Sequence, residues 1–180
     1  MASVVSARAL VVLLRGVNVG GHRTFRPSKL VADLKHLDAV NIGVAGTFVI
    51  RKPASQTRLR AEFARRLPFE TQIIICERRD IDRLLARPES ATAGVEAGFV
   101  HFVSVLAGRP RAAVSLPMTF PATGKWMLKI LSVDGRIVTG VYRRQMEAIR
   151  HLAMVDKVFG VPATTRNWNT VKAIARVWGG

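Results

Sequence analysis

The stretch Ala9-Leu10-Val11-Val12-Leu13-Leu14 runs directly into Arg15-Gly16-Val17-Asn18-Val19-Gly20-Gly21. Its first six residues are apolar, with two adjacent valines, the composition of a buried strand. The glycines then force a turn. Pro27 suits a first helical position, and Leu30, Val31, Leu34 and Leu37 recur at helical spacing behind it.

The same alternation continues outward from this start. Val40–Ile50 reads as two short strands around a bend at Gly43 and Gly46. Ser55 is a candidate N-cap for a helix carrying Leu59, Phe63 and Leu67, with Arg58, Arg60, Arg65 and Arg66 on its other faces. Thr71–Cys76 is a predicted strand, and Asp80 is placed as the cap of a short helix with Ile81, Leu84 and Leu85 inward. Pro88–Gly98 is small and polar and marks the boundary between two halves, 1–90 and 91–180.

In the second half Phe99–Leu106 reads as a strand and Arg109–Pro121, with three prolines, as loop or edge. Trp126–Val141 is a predicted hairpin turning at Asp134-Gly135. A helix is expected from about Arg144 to Gly160, with Met146, Ile149, Leu152 and Phe159 inward. The last helix is placed from about Thr165, with Trp168, Val171, Ile174, Ala175 and Trp178 as its buried stripe. This order predicts an α+β fold: two ferredoxin-like halves, each with a small antiparallel or mixed sheet and helices packed on one face.

The 180 residues are 49% hydrophobic, enough for a substantial core. No apolar run reaches the ~18 residues of a membrane span, and Ala9–Leu14 is too short for a signal-peptide core. The single cysteine, Cys76, cannot form an internal disulfide, so the expected compartment is the cytoplasm.

The net charge is +16. Residues 1–90 hold 16 basic and 8 acidic residues, and residues 91–180 hold 12 and 4, so the charge is spread along the chain. Such a surface suits nucleic acid or another polyanion. A GC-rich genome would also produce it, because 21 of the 28 basic residues are Arg in a chain rich in Ala and Val.

Two polar motifs stand out. Gly16–Arg23 has the glycine spacing of a phosphate-binding P-loop, but His22 and Arg23 occupy the Lys and Ser/Thr positions, which excludes that chemistry. Asn18 also breaks the dinucleotide fingerprint. What remains is a turn whose backbone N–H groups, with Arg15 and Asn18, would face a ligand, or a tight connection that only satisfies backbone geometry. Thr164-Thr165-Arg166-Asn167-Trp168-Asn169-Thr170, placed at a helix N-terminus, is either an anion site or a capping motif with Trp168 as core anchor.

Other chemistry is poorly supported. The four histidines are not spaced as metal ligands, no nucleophile elbow is present, and no metal or cofactor is expected. Phe99, Phe102, Trp126 and Tyr142 would stack bases if exposed, although their apolar neighbours favour the core.

Leu13–Gly21 followed by a helix, together with Thr164–Val171 near the C-terminus, resembles the domain of unknown function 1697 family. The resemblance spans nearly the whole chain and implies a bacterial protein of α+β fold with ferredoxin-like halves and no established biochemical function. Arg15, Gly16, Asn18, Gly20 and Gly21 match the first family motif, and Arg166, Asn167, Trp168, Asn169 and Thr170 the second. Ala45-Gly46-Thr47 departs from the family's Ser-Gly-Asn, and Phe25 and Pro27 stand where relatives tend to have Lys and Met. A family ligand site using that Ser and Asn would be altered here.

The functional expectation is a cytoplasmic binding protein for an anionic partner, foremost nucleic acid, through an Arg-rich surface. Its ligand-binding candidates are Arg15, Gly16, Asn18, Gly20, Gly21, Arg166, Asn167 and Asn169. One alternative is an enzyme or small-ligand protein holding a phosphate or carboxylate between the two motifs. The other is a purely structural role for both.

Overall fold

The computed structural model describes residues 9–18, 21–87 and 98–179. Gly20 and most of the expected boundary at Pro88–Gly98 lie outside the described residues. The chain divides into two compact units, Met1–Ala86 with Thr170–Gly180, and Arg87–Asn169. The expected division at 90/91 had given the whole last helix to the second half, whereas residues from Thr170 onward count with the first.

The first unit contains β1 (Leu10–Leu14), α1 (Pro27–Asp33), β2 (Ala39–Ile42), β3 (Thr47–Ile50), α2 (Gln56–Arg66), β4 (Ile73–Glu77) and α3 (Arg78–Leu85). Its sheet runs β2-β3-β1-β4 with every pairing antiparallel, the ferredoxin-like βαββαβ arrangement. The register sets Val12 between Phe48 and Ile75. That face packs with Leu30 and Leu34 of the α1 region and with Leu59 and Phe63 of α2. Local chemistry fixes the helix starts. Pro27 opens α1, and the Ser55 hydroxyl accepts the Arg58 N–H at 3.1 Å. In α3 the N-cap is Glu77, whose N–H donates to the Asp80 carboxylate at 3.1 Å, so Asp80 sits one turn inside the cap assigned to it from sequence.

The second unit contains β5 (Phe99–Leu106), β6 (Met118–Phe120), β7 (Leu128–Asp134), β8 (Ile137–Arg143), α4 (Met146–Leu152), α5 (Met154–Phe159) and β9 (Ala163–Asn167). Its order is β6-β7-β8-β5-β9, again fully antiparallel, so neither sheet is mixed. Leaving out β6, the order β7-β8-β5-β9 repeats that of the first unit. Residues 107–127 replace the first crossover helix, because Pro110, Pro117 and Pro121 deny that segment a helical ladder. Val114, Met118 and Phe120 from it still pack on the core of Phe102, Leu106, Leu128, Ile130, Val155 and Phe159. Gly140 of β8 is required by packing. A Cβ there would run into the Lys129 carbonyl and stand 2.7 Å from the Phe102 ring.

Two helix expectations are corrected. The helix expected from Arg144 to Gly160 is two helices meeting at Ala153, and Met146 and Ile149 point outward at 80% and 50% exposure, while Ala148 is buried. The last helix, α6 (Trp168–Gly179), starts three residues later than Thr165. Thr164 and Thr165 do not cap it. Both are β-branched and lie in β9, paired with β5, and the Thr165 hydroxyl meets the Ser104 hydroxyl at 2.6 Å. Trp168, Val171 and Ile174 form a buried stripe on α6 as expected. Among the described residues no helix is long and apolar enough to cross a membrane.

Candidate functional site

The first motif builds a turn in the first unit. At the end of β1 the Leu14 N–H donates to the Gly46 carbonyl at 2.8 Å and the Arg15 N–H to the Gln72 carbonyl at 3.1 Å. The Thr71 hydroxyl donates to the Arg15 carbonyl at 2.5 Å. Gly16 then takes a positive φ of 62° and Val17 drops into the core. Asn18, also left-handed at φ 53°, is engaged at both ends of its amide. Its Nδ2 donates to the Val44 carbonyl at 2.9 Å, and its Oδ1 accepts the Phe25 N–H at 3.0 Å. Asn tolerates this backbone conformation better than other side chains, which explains its place here. Gly21 is exposed at φ 77°.

The second motif lies in the second unit as far as Asn169, and its residues divide into two groups. Arg166 folds back along its own strand, donating to the Thr164 hydroxyl and the Thr165 carbonyl, each at 2.8 Å. Asn167 and Asn169 are exposed on either side of the buried Trp168.

These two amides line a cavity of about 460 Å³ formed wholly by residues of the second unit. Phe99, Val100 and His101 from the start of β5 line it, as do Tyr142 at the end of β8 and Arg144 and Gln145 beyond it. Met146 and Ile149 of α4 are the exposed apolar part of its lining. Of the eight ligand-binding candidates, the cavity takes Asn167 and Asn169. Arg15, Gly16, Asn18, Gly21 and Arg166 are not part of its lining.

Strand pairing explains why the cavity lies here. The Arg144 N–H donates to the Gly98 carbonyl at 2.9 Å and the Leu106 N–H to the Arg136 carbonyl at 2.8 Å. Even-numbered residues of β5 therefore bond to β8, and odd-numbered ones face β9. β9 ends at Asn167, opposite Phe102, where the chain turns into α6. The N–H of His101 and the N–H and C=O of Phe99 thus point to a side where no strand continues among the described residues, while Trp168, the first residue of α6, stands opposite His101.

Electrostatics and aromatic packing add to this end of the sheet. Phe99 stacks on Trp126 with ring centroids 5.3 Å apart. The Arg143 guanidinium lies 5.1 Å from the Phe99 centroid and 4.5 Å from that of Trp126, and Lys129 lies 4.5 Å from Trp126. Of the ion pairs among the described residues, only Arg87–Asp134 lies in the second unit. Lys129, Arg143 and Arg144 have no carboxylate partner among the described residues. Burial raises the Tyr142 phenol above its ordinary value, with Arg144 acting in the opposite sense, so it remains a hydrogen-bond donor at neutral pH. Trp168, on the cavity wall, has an indole N–H with no hydrogen-bond partner among the described residues.

Sequence reasoning missed His101, Arg144 and Gln145 as site residues and named Tyr142 only as a base-stacking candidate. The available signal was Met146 and Ile149, apolar side chains that the fold leaves exposed. Phe102, named among the base-stacking candidates, is fully buried, whereas Phe99, Trp126 and Tyr142 are only partly so.

The family model described as protein of unknown function, DUF1697, matches residues 8–125. No curated protein sequence matches the chain. Among solved structures, a conserved bacterial protein from Streptococcus pneumoniae aligns with a TM-score of 0.62 at 17% identity, covering 94% of this chain and 98% of its own. At that identity the likeness concerns the fold alone.

Proposed function

We propose that this chain, which belongs to the DUF1697 family of proteins of unknown function, binds nucleic acid as single strands through the second unit. The observation that carries this reading is the cluster of Lys129, Trp126, Arg143 and Phe99: Arg143 lies within 5.1 Å of both ring centroids, Lys129 lies 4.5 Å from that of Trp126, and neither cation has a carboxylate partner among the described residues. Strand-binding surfaces combine cations that track phosphates with aromatic rings that meet bases. Phe99 belongs both to this cluster and to the adjoining cavity, which gives a strand a continuous path. The protein then acts as a binding module in the cytoplasm.

The test is fluorescence anisotropy of a mixed-sequence single-stranded oligonucleotide across a salt series. The expected log–log slope is about 0.7 per phosphate contacted. The double substitution Lys129→Ala with Arg144→Ala should reduce that slope and weaken binding at least tenfold. Absence of binding at low salt, or binding indifferent to both substitutions, overturns the proposal.

A further inference from the structure

We infer that the cavity at the start of β5 is a nucleobase pocket, which takes one base of a bound strand or of a free nucleotide and reads its edge through the His101 N–H and the Asn169 amide. This inference rests on the nucleic-acid reading of the second unit.

Size and shape come first. A volume of about 460 Å³ falls within the ~300–1,000 Å³ of small-molecule sites. The lining combines ring surfaces from Phe99, Tyr142 and Trp168 with amide and backbone groups, and among the described residues it contains no Asp or Glu. A planar, neutral, heteroaromatic group satisfies both halves of that lining. A purely apolar ligand would strand the amides, and a cationic one would face Arg144.

The edge-reading geometry follows from the strand. A base presents adjacent donors and acceptors along its Watson–Crick edge. In the paired part of β5, Val103 and Val105 are matched by Arg166 and Thr164, and the register continues to Trp168 opposite His101. Trp168 opens α6 there, so the His101 N–H is directed past the end of β9 and can donate to a base edge. Asn169, next to Trp168, has an exposed amide able to donate and accept. Arg144, exposed and with no carboxylate partner among the described residues, supplies the cation for an attached phosphate. Met146 and Ile149 give a base an apolar cover that water does not.

The test titrates the full-length protein with the four nucleoside 5′-monophosphates, with ribose 5-phosphate and inorganic phosphate as base-free probes, read by calorimetry and by ligand-observed NMR. In parallel, an oligonucleotide and its abasic counterpart of equal length are compared by anisotropy. The expected result is saturable binding of at least one monophosphate, at least tenfold tighter than ribose 5-phosphate. It should weaken at least fivefold in both Asn169→Ala and Arg144→Ala, two exposed positions whose loss leaves the core intact. Equal affinity for the intact and abasic strands, or monophosphates that bind no better than ribose 5-phosphate, overturns the pocket while leaving strand binding intact. Monophosphate binding with no oligonucleotide binding supports the pocket and overturns the strand reading. Absence of both overturns both.

Discussion

Asn18 fastens Val44: its side-chain amide donates to the Val44 carbonyl at 2.9 Å across 26 residues of sequence. The same side chain accepts the Phe25 N–H, so one residue holds the turn after β1 to the turn before β3. The Asn that looked like a ligand donor in the sequence is thus committed to the fold. Replacing it with Ala removes both bonds and leaves an alanine at φ 53°. The expected loss is about 0.5–1.5 kcal/mol for each hydrogen bond removed, since the Val44 carbonyl is exposed to water, with about 1 kcal/mol more from backbone strain. Urea unfolding reads it. Asn18→Gly should recover the strain component alone, and an unchanged midpoint in Asn18→Ala would show that the contact does not matter.

Gly46 lies below the same turn. A Cβ at that position would stand 2.6 Å from Val17 Cγ2 and 2.8 Å from Leu14 Cβ, with φ at 73°. Gly46→Ala should cost about 2–4 kcal/mol through overpacking and backbone strain together. Ala45, exposed beside it, should tolerate Ser with no measurable change. Thermal unfolding of the two variants separates them, and a stable Gly46→Ala would refute the packing argument. The departure from the family's Ser-Gly-Asn thus preserves the residue that packing requires.

Arg51 hydrogen-bonds Asp38 at 2.9 Å, and that bond, helped by the charges of Arg51 and Lys52, holds the carboxyl below its ordinary value of 3.8 against the opposing effect of burial. Because the folded-state value is depressed, the stabilisation is present above the unfolded value and lost as pH falls through the folded one. Wild-type stability should therefore decline below about pH 4, and Asp38→Asn should shallow that decline. Asn is the suitable replacement because position 38 has φ 51°. Both side chains are well exposed, so the effect is small and best seen at low salt. Identical acid limbs for the two proteins would eliminate the pair as a contributor.

Tyr142 is the single tyrosine of the chain, so ultraviolet absorbance of tyrosinate reports the cavity directly. Its midpoint should lie above 10, because burial opposes ionisation. Stability associated with the neutral phenol is complete below the unfolded value and is lost as pH rises through the folded one. A nucleotide in the cavity should push the midpoint higher still. A midpoint at the ordinary value would mean that the phenol is fully hydrated.

Much of the fold is written locally. The six apolar residues of Ala9–Leu14 and the Ser55 cap each carry their own instruction, and the structure follows both, while the hairpin turn expected at Asp134-Gly135 falls one residue later, on Gly135-Arg136, with Asp134 paired to Ile137. Thr164 and Thr165 misled because a β-branched hydroxyl pair before an amphipathic run reads equally as helix cap or strand end. Only their partner β5, about 60 residues earlier, decides between the two. Met146 and Ile149 misled for the opposite reason. Their spacing is helical and correct, but Ala148 occupies the inward position and turns them outward. The cavity itself was illegible, since it forms where three strands and a helix end meet, and no single segment encodes that meeting.

The early end of β9 also bears on motion. The Val103 and Val105 amides are bonded within a completed ladder, whereas those of Phe99 and His101 face its open side. In hydrogen–deuterium exchange the first pair should be retained until the unit unfolds globally, and the second should exchange through local fraying. β5 is therefore one strand with two lifetimes, and its short-lived end is where a visiting molecule would slow the clock.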